Sequence, residues 1–165
     1  MLTFCPVKPG EKTEIARLSA LATRIVREHF DPLIGKKQND YMLARFQTEE
    51  AIARQLESGF SYYFVCLDAR EIGFLAFFPK DGKMDLSKFY LEKEFRGRGL
   101  ARPMFDFVAE QTRRAGLPAI FLNVNRDNAQ SIAVYRHLGF EKLREEKNDI
   151  GGGYYMDDFV LQYVL

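Results

Sequence analysis

The stretch MDLSKFYLEKEFRGRGLARPMFDFV, residues 84–108, contains the point at which the chain changes from a strand pattern to a helix pattern. Up to Leu91 the segment has the aromatic-rich composition of a strand. After Gly99, apolar residues recur at helical spacing, at Leu100, Met104, Phe107 and Val108. The pattern therefore predicts a strand, a glycine-rich loop and a helix.

The loop in front of this helix has the features of an anion site. Gly97 and Gly99 allow the backbone to turn and to approach a ligand closely. The first N–H groups of the helix have no partner within it and carry the positive end of its dipole. Arg96 and Arg98 add forked cations that suit phosphate oxygens, and Pro103 fits an early helical position. The loop predicts a pyrophosphate site, although a solvent-facing basic turn is an alternative that it leaves open.

Strand patterns lie on both sides of this segment. From Phe60 the runs FSYYFVCL, IGFLAFF and MDLSKFYL are separated by turn-forming residues, which predicts an antiparallel meander. The apolar run AIFLNV at 119–124 completes a strand, helix and strand, an order that predicts a parallel pair. A helix is expected at 128–138, and two strands at 140–165 around a turn at 149–153.

The first third of the chain is expected to be mostly helical. A short strand at 2–7 precedes an amphipathic helix at 11–29, and Asp31-Pro32 and Gly35 should break the helical pattern. A short helix follows at 40–46, and Thr48 resembles the N-cap of another helix that ends near Ser58-Gly59. The expected fold is therefore a mixed α/β sandwich.

Composition limits the class of protein. The 165 residues include 47% hydrophobic residues, enough for one sizeable core, and no repeat or linker divides them, so residues 1–165 are expected to form a single domain. A net charge of +1 gives no global field for nucleic acid or an anionic membrane surface. No apolar run approaches the roughly 20 residues of a membrane span, and no leader pattern is present. We expect a cytoplasmic protein with a small-molecule partner, and no nucleic-acid or membrane partner.

Cysteine and histidine are scarce. Cys5 and Cys66 are far apart in sequence and each lies in an apolar stretch, which favours buried thiols over a disulfide or a nucleophile. Neither has metal-ligand spacing, and His29 and His137 are too isolated to form a metal site. No metal is expected.

Two segments together resemble the signature of the GNAT superfamily of N-acetyltransferases. Arg96, Gly99 and Ala101 match the motif that binds the pyrophosphate of CoA, and LNVNRDNAQSIAVYRHLGF at 122–140 is similar to the family's second conserved strand and helix. More narrowly, YMLARFQTEEAIARQLESGFSYYFV at 41–65 and YYMDDFVL at 154–161 are similar to bacterial polyamine acetyltransferases of the PaiA type. The implied fold is a twisted, mostly antiparallel sheet with one parallel pair, flanked by helices, and the implied co-substrate is acetyl-CoA.

The resemblance also implies roles for individual residues. Tyr135 corresponds to the family's general acid, which protonates the departing thiolate. The backbone at Phe89, Tyr90 and Leu91 should splay from its neighbouring strand and pair with the pantetheine arm, leaving one N–H as an oxyanion donor. Residues assigned to the co-substrate are Phe89, Tyr90, Leu91, Arg96, Gly97, Arg98, Gly99, Leu100, Ala101, Asn128 and Ser131. From the residues alone, Asn128 could equally be an N-cap and Tyr135 a core aromatic.

The general base is less clearly indicated. Asp85 lies where many relatives carry an acidic base, and it shares a strand face with Ser87 and Phe89 if no bulge intervenes. Glu92 is a second candidate. Asp157 and Asp158 could attract a cationic substrate, although charges on a terminal strand are more often solvated.

The expected function is transfer of an acetyl group from acetyl-CoA to a primary amine of a small molecule, with polyamines first. A protein lysine or N-terminal acetyltransferase and a non-catalytic acyl-CoA-binding module are alternatives. A dinucleotide site is disfavoured because the loop lacks GxGxxG. Apolar residues of the last strand leave a homodimer open: Phe159, Val160, Leu161, Tyr163 and Val164.

Overall fold

A computed structural model describes residues 1–165 and contains seven strands, five α-helices and one short 3-10 turn. In chain order the elements are β1 Leu2–Val7, α1 Lys12–Ile34, α2 Lys36–Phe46, α3 Glu49–Glu57, β2 Ser61–Leu67, β3 Arg70–Lys80, β4 Lys83–Leu91, the 3-10 turn Lys93–Phe95, α4 Ala101–Arg114, β5 Ala119–Asn125, α5 Ala129–Leu138, β6 Glu141–Gly151 and β7 Tyr154–Val164.

The strands form one sheet in the order β1-β2-β3-β4-β5-β7-β6. β4 and β5 pair in parallel, joining Met84 to Ile120 and Asp85 to Phe121. β1 with β2, β2 with β3, β5 with β7 and β6 with β7 are antiparallel. The expected mixed fold with a parallel pair across the α4 crossover is thus confirmed.

The helices near the start of the chain agree with expectation except at Pro32. Thr48 caps α3, since its hydroxyl oxygen accepts a hydrogen bond from the N–H of Ala51 at 3.1 Å. The expectation that Asp31-Pro32 would end the preceding helix is wrong, because α1 continues through Pro32 to Ile34. A proline near a helix end removes one donor without forcing the last turn to stop. The helix ends at Gly35, the other expected break, whose φ of 87° few other residue types adopt readily.

The chain divides into two compact units. The first comprises Met1–Phe78 and Lys88–Arg98. Its core joins α1 and α3 to β2 and β3, and its fully buried side chains include Leu18, Ile25, Ile52, Tyr62 and Phe74. Each such side chain contributes roughly 1.5–3 kcal/mol of hydrophobic stabilisation.

The second unit comprises Pro79–Ser87 and Gly99–Leu165. Its helices α4 and α5 cover one face of β5 and β7, where Phe105 makes edge-on ring contacts with Phe140 and Tyr163 at 5.4 and 4.9 Å between centroids. Ile120, Leu122, Met104, Val108 and Leu161 are buried there. The opposite face of the same strands carries the buried Phe121 and Val160 together with the polar residues Asn123, Asp158 and Gln162.

The last strand, β7, lies between β5 and β6. Both of its edges are therefore already paired, and Val160 and Leu161 are fully buried within the unit. β7 therefore has no free edge for strand pairing with another subunit, and a homodimer stays a prediction. The edge strand is β6, and its charged sequence EKLREEKNDIG disfavours pairing with a further strand.

No helix is both long and apolar enough to cross a lipid bilayer. No group of three or more His, Cys, Asp or Glu side chains is placed to hold a metal ion.

Candidate active site

The end of β4, residues 88–91, is held by the core of the first unit and by a close backbone approach. Tyr90 packs against Phe74 and Phe30, with ring centroids 5.3 and 6.1 Å apart. A Cβ atom added at Gly73 of β3 would lie 2.2 Å from the carbonyl oxygen of Tyr90. Only glycine fits there. The backbone that the family resemblance assigns to the pantetheine arm is therefore fixed by a glycine that sequence reasoning did not single out.

Immediately after β4, Glu92 is held by arginines. Its carboxylate oxygens lie 2.5 Å from Arg24 and 3.5 Å from Arg70, and its side chain is largely buried. Its N–H donates to the carbonyl oxygen of Ile72 at 2.8 Å. The candidate base Glu92 is therefore occupied in ion pairs with two arginines.

A cavity of about 600 Å³ in the first unit is lined by this ion pair. Its walls are Arg24, Ile25, Glu28, Glu92, Lys93 and Glu94. The size falls in the range of roughly 300–1,000 Å³ found for small-molecule sites. Its lining is mostly charged and of both signs, which distinguishes it from a typical apolar pocket.

After the 3-10 turn, the two loop arginines make different contacts. Arg96 Nε donates to the carbonyl oxygen of Leu91 at 3.0 Å and so ties the loop to the strand end. Arg98 lies over the ring of the buried Phe95, 5.2 Å from its centroid, and Arg70 lies over the same ring at 4.9 Å. Arg96 therefore has a structural hydrogen bond that the sequence did not reveal, whereas Arg98 is exposed.

Gly97 and Gly99 both adopt left-handed backbone conformations, with φ of 74° and 75°. A Cβ at either position would meet no atom within 4 Å, so these positions require glycine for its conformation rather than for its size. The two left-handed residues produce the exposed turn that leads from the strand side of the loop toward α4.

The start of α4 has uncapped backbone N–H groups that could bind an anion. Leu100 occupies the N-cap position without a side-chain cap, and the first intrahelical bond runs from the N–H of Met104 to the carbonyl oxygen of Leu100 at 3.2 Å. Pro103 has no N–H, which leaves the amides of Ala101 and Arg102 as the uncapped donors of the first turn. Uncapped amides at the positive end of a 14-residue helix fit a phosphate.

α5 carries the other predicted residues of the second unit. Asn128 is its N-cap, with Oδ1 accepting from the N–H of Ser131 at 3.3 Å, and it is 5% exposed. The capping interpretation of Asn128 therefore holds. One face of α5 presents Ser131 and Tyr135, both half-buried, and the Tyr135 ring meets Phe140 at 5.7 Å between centroids.

Asp85 lies on the face of the sheet opposite these helices. It pairs with Phe121 in the parallel ladder, whereas Tyr163, which packs on α4, pairs with Ile120. Lys83 Nζ donates to Gln162 Oε1 on Asp85's face, which confirms the alternation. We call the surface formed by Lys83, Asp85, Asn123, Asp158 and Gln162 the polar face.

The polar face contains a buried carboxylate that sequence reasoning undervalued. Asp158 is 3% exposed, so the expectation of a solvated charge is wrong at this position. It pairs with Asn125 of β5 and Glu146 of β6, and Asn123 Nδ2 lies 3.5 Å from its Oδ2. Burial raises the pKa of Asp158 to about 6, with smaller raising contributions from the charges of Asp157 and Glu146, against a lowering one from Asn123.

The neighbouring Asp157 has a different role. Arg126 Nε donates to Asp157 Oδ1 at 2.8 Å and its Nη2 to Glu145 at 2.9 Å, while its guanidinium lies 5.1 Å from the centroid of the Phe159 ring. The N–H of Arg126 also donates to the carbonyl oxygen of Asp157. These contacts fasten the turn that precedes α5 to β6 and β7.

Residues 23–140 match the profile of the Acetyltransferase (GNAT) family. The chain belongs to this family. It is 28% identical to the uncharacterized N-acetyltransferase YjgM of Escherichia coli K12 over 147 residues, covering 87% of this chain and 88% of that one. It is 25% identical to an uncharacterized N-acetyltransferase in the pepI 3' region of Lactobacillus delbrueckii subsp. lactis over 154 residues, covering 86% and 88%.

The fold is similar to the crystal structure of PaiA N-acetyltransferase from Thermoplasma acidophilum in complex with coenzyme A. The TM-score is 0.81, with 100% of this chain and 99% of that chain covered, at 15% identity. The protein is accordingly an acetyl-CoA-dependent acyltransferase with acetyl-CoA as its co-substrate. The uncapped start of α4 after two left-handed glycines fits the pyrophosphate of that co-substrate.

Proposed function

We propose that this GNAT enzyme acetylates a primary amine of a small molecule, with polyamines as the first substrate class. The observation that carries the proposal is Asp158, a buried carboxylate on the polar face of the second unit. A carboxylate removed from water is costly unless a cation or hydrogen bonds stabilise it. An ammonium group of the acceptor would provide such a cation.

On the donor side, the loop and the start of α4 are proposed to bind the CoA pyrophosphate. The amides of Ala101 and Arg102 would meet its oxygens. Parallel pairing of β4 and β5 reaches Asp85 and Phe121, and β4 runs on to Leu91. We infer that the N–H groups of the β4 end receive the pantetheine arm, with one of them as oxyanion donor, typically worth about 10²–10³ in rate.

The reaction requires a neutral amine. The acceptor ammonium gives one proton to a carboxylate, and its lone pair then attacks the thioester carbonyl. The carbon–sulfur bond breaks, the thiolate takes a proton from the Tyr135 hydroxyl, and the products are an N-acetylamine and CoA thiol. The nitrogen loses its second proton as the tetrahedral adduct collapses to the amide. Of the two protons that the amine loses, one returns to Tyr135 and the other is released to solvent, so that one proton is released overall.

Asp85 and Asp158 are the proposed proton acceptors on the polar face. Asp158 has the more suitable environment because its raised pKa of about 6 lies close to the pH at which the enzyme would operate. Asp85 remains the proposal from the family resemblance. Tyr135 on α5 lies on the other face of the same strands.

The test compares Asp158→Asn with wild type, using spermidine as acceptor and following thiol release from acetyl-CoA. We expect kcat/KM for spermidine to fall about 10²-fold or more, with the KM for acetyl-CoA little changed. Asp106→Asn, at an exposed position on α4, is the matched control and should behave like wild type. Unchanged kcat/KM in Asp158→Asn would refute the assignment of this carboxylate.

A further inference from the structure

We propose that Cys5 and Cys66 form an oxidation site at which a peroxide converts two thiols into an intramolecular disulfide. The two residues are 61 positions apart, yet their Sγ atoms lie 3.7 Å from each other. Both are free thiols in the structure. The expectation of a buried thiol is confirmed at Cys66 and is wrong at Cys5, which is exposed. The pairing of β1 with β2 places the two cysteines beside each other.

The strand register explains the contact. Cys5 pairs with Phe64, and Cys66 pairs with Thr3, so the cysteines are diagonal neighbours across the β1–β2 ladder. A disulfide needs about 2.0 Å between sulfur atoms, so the two strands must approach further. β1 has only six residues and pairs on one side, as the edge of the sheet, and the β2–β3 register shifts between Val65 and Cys66. Both features make the required adjustment small and local.

The two thiols differ in accessibility. Cys5 is exposed, whereas Cys66 is buried. The pKa of Cys66 is raised to about 12, chiefly by burial and next by its hydrogen bond to Cys5. Glu71 and Arg17 also act on this thiol, the first raising and the second lowering its pKa. An oxidant from solution therefore reacts with Cys5 first, and Cys66 is the resolving thiol beside it.

The chemistry balances in two steps. The Cys5 thiolate attacks one peroxide oxygen, the O–O bond breaks, and Cys5 becomes a sulfenic acid with release of water after protonation. The sulfur of Cys66 then attacks the Cys5 sulfur, expelling the hydroxyl as a second water while Cys66 loses its proton. Two thiols and one hydrogen peroxide therefore give one disulfide and two waters. Closing this long loop should also stabilise the fold against heat.

The test treats the whole protein with hydrogen peroxide and measures intact mass and free thiols after denaturation. We expect a monomer lighter by the mass of two hydrogen atoms, a fall from two free thiols to none, and an unfolding midpoint raised by about 5 °C, all reversed by a dithiol reductant. Retention of both thiols in a folded protein would overturn the proposal, as would disulfide-linked dimers as the product.

Two variants test the order of the steps. Cys66→Ser should stop at the sulfenic acid, which a cyclic diketone traps on Cys5. Cys5→Ser should leave Cys66 unmodified over the same period, because Cys66 is buried. Equal reactivity of Cys66 in Cys5→Ser would overturn the assigned order. The wild-type mass measurement needs neither variant, and none of these outcomes depends on the proposed acceptor.

Discussion

At the scale of single residues, the most informative side chain is a carboxylate whose identity was visible in the sequence but whose environment was not. Asp157 and Asp158 are adjacent and look alike in sequence. In the structure Asp157 binds Arg126, whereas Asp158 is buried between Asn125 and Glu146. The two residues have different environments because neighbouring side chains in a strand point to opposite faces of the sheet.

Burial of Asp158 predicts a characteristic dependence of stability on pH. Its folded pKa of about 6 lies above the ordinary 3.8, so the folded state binds the proton more tightly than the unfolded state does. The resulting stability is fully present below about pH 4 and is lost as the pH rises through 6, a change of about 3 kcal/mol for a shift of this size. Asp158→Asn should remove this loss.

Urea unfolding of wild type and Asp158→Asn at pH 4 and at pH 8 measures the effect. The variant should gain stability relative to wild type between the two pH values. A constant difference in unfolding free energy would show that the carboxylate does not titrate in this range. Asp106→Asn again provides the control for a lost surface charge.

Tyr135 shows which residue positions the sequence could predict. Its position on α5, one helical face with Ser131, follows from the spacing of the motif and is confirmed. The same helix shows why Asn128 was ambiguous: a residue type that suits a ligand also suits an N-cap, and its oxygen accepts from the Ser131 N–H.

At the scale of elements, the chain segment most dependent on packing is the end of β4. Its sequence KFYL, residues 88–91, predicts a strand but does not show what fixes its path. The fixing contact comes from Gly73 in β3, where the backbone of Tyr90 occupies the space of a Cβ atom. A glycine inside the run IGFLAFF was a signal for close backbone approach, although the partner could not be known before the strands were paired.

Gly73→Ala is therefore expected to displace the end of β4. An added Cβ 2.2 Å from the Tyr90 carbonyl oxygen cannot be accommodated without backbone movement. Because this backbone is proposed to bind pantetheine, the KM for acetyl-CoA should rise about tenfold, together with a loss of stability of about 1–3 kcal/mol. Steady-state kinetics and thermal unfolding measure the two effects.

Gly10→Ala is a suitable comparison, since Gly10 has a φ of 85° and no atom within 4 Å of an added Cβ. It should lower stability through backbone strain without affecting the KM for acetyl-CoA. A Gly73→Ala enzyme with wild-type KM would contradict the proposed role of the β4 end.

The loop and its helix were predicted more completely than any other element. Gly97, Gly99 and the start of α4 lie where the sequence indicated, because glycine and proline restrict local geometry strongly. Pro32 is the exception to this rule in the chain. Pro32 lies in the last turn of α1, where it removes only one backbone donor. The helix therefore continues past it and ends before Gly35.

At the scale of the whole molecule, the order of strands and helices along the chain was sufficient to predict the mixed sheet and its parallel pair. Long-range pairing was not predictable in the same detail. Cys5 and Cys66 illustrate this, since only the β1–β2 register shows that residues 61 positions apart are in contact. The choice of acceptor depends on residues that long-range strand pairing brings together, such as those of the polar face. The sequence pattern therefore predicted the type of reaction more readily than the substrate.

An assay with a panel of amines shows directly whether this GNAT enzyme acetylates small primary amines. Purified protein is given acetyl-CoA with spermidine, spermine, an aminoglycoside, free amino acids or a lysine peptide, and the acetylated product is quantified by mass spectrometry. Tyr135→Phe is assayed beside wild type, with Tyr155→Phe as a control for loss of an exposed phenol.

We predict rapid formation of N-acetylpolyamine by wild type and by Tyr155→Phe, and a fall in kcat of about 10²-fold in Tyr135→Phe with acetyl-CoA affinity retained. Acetylation of the lysine peptide in preference to every small amine would contradict the proposed acceptor. CoA binding without turnover of any amine, or equal turnover by Tyr135→Phe, would contradict the proposed chemistry.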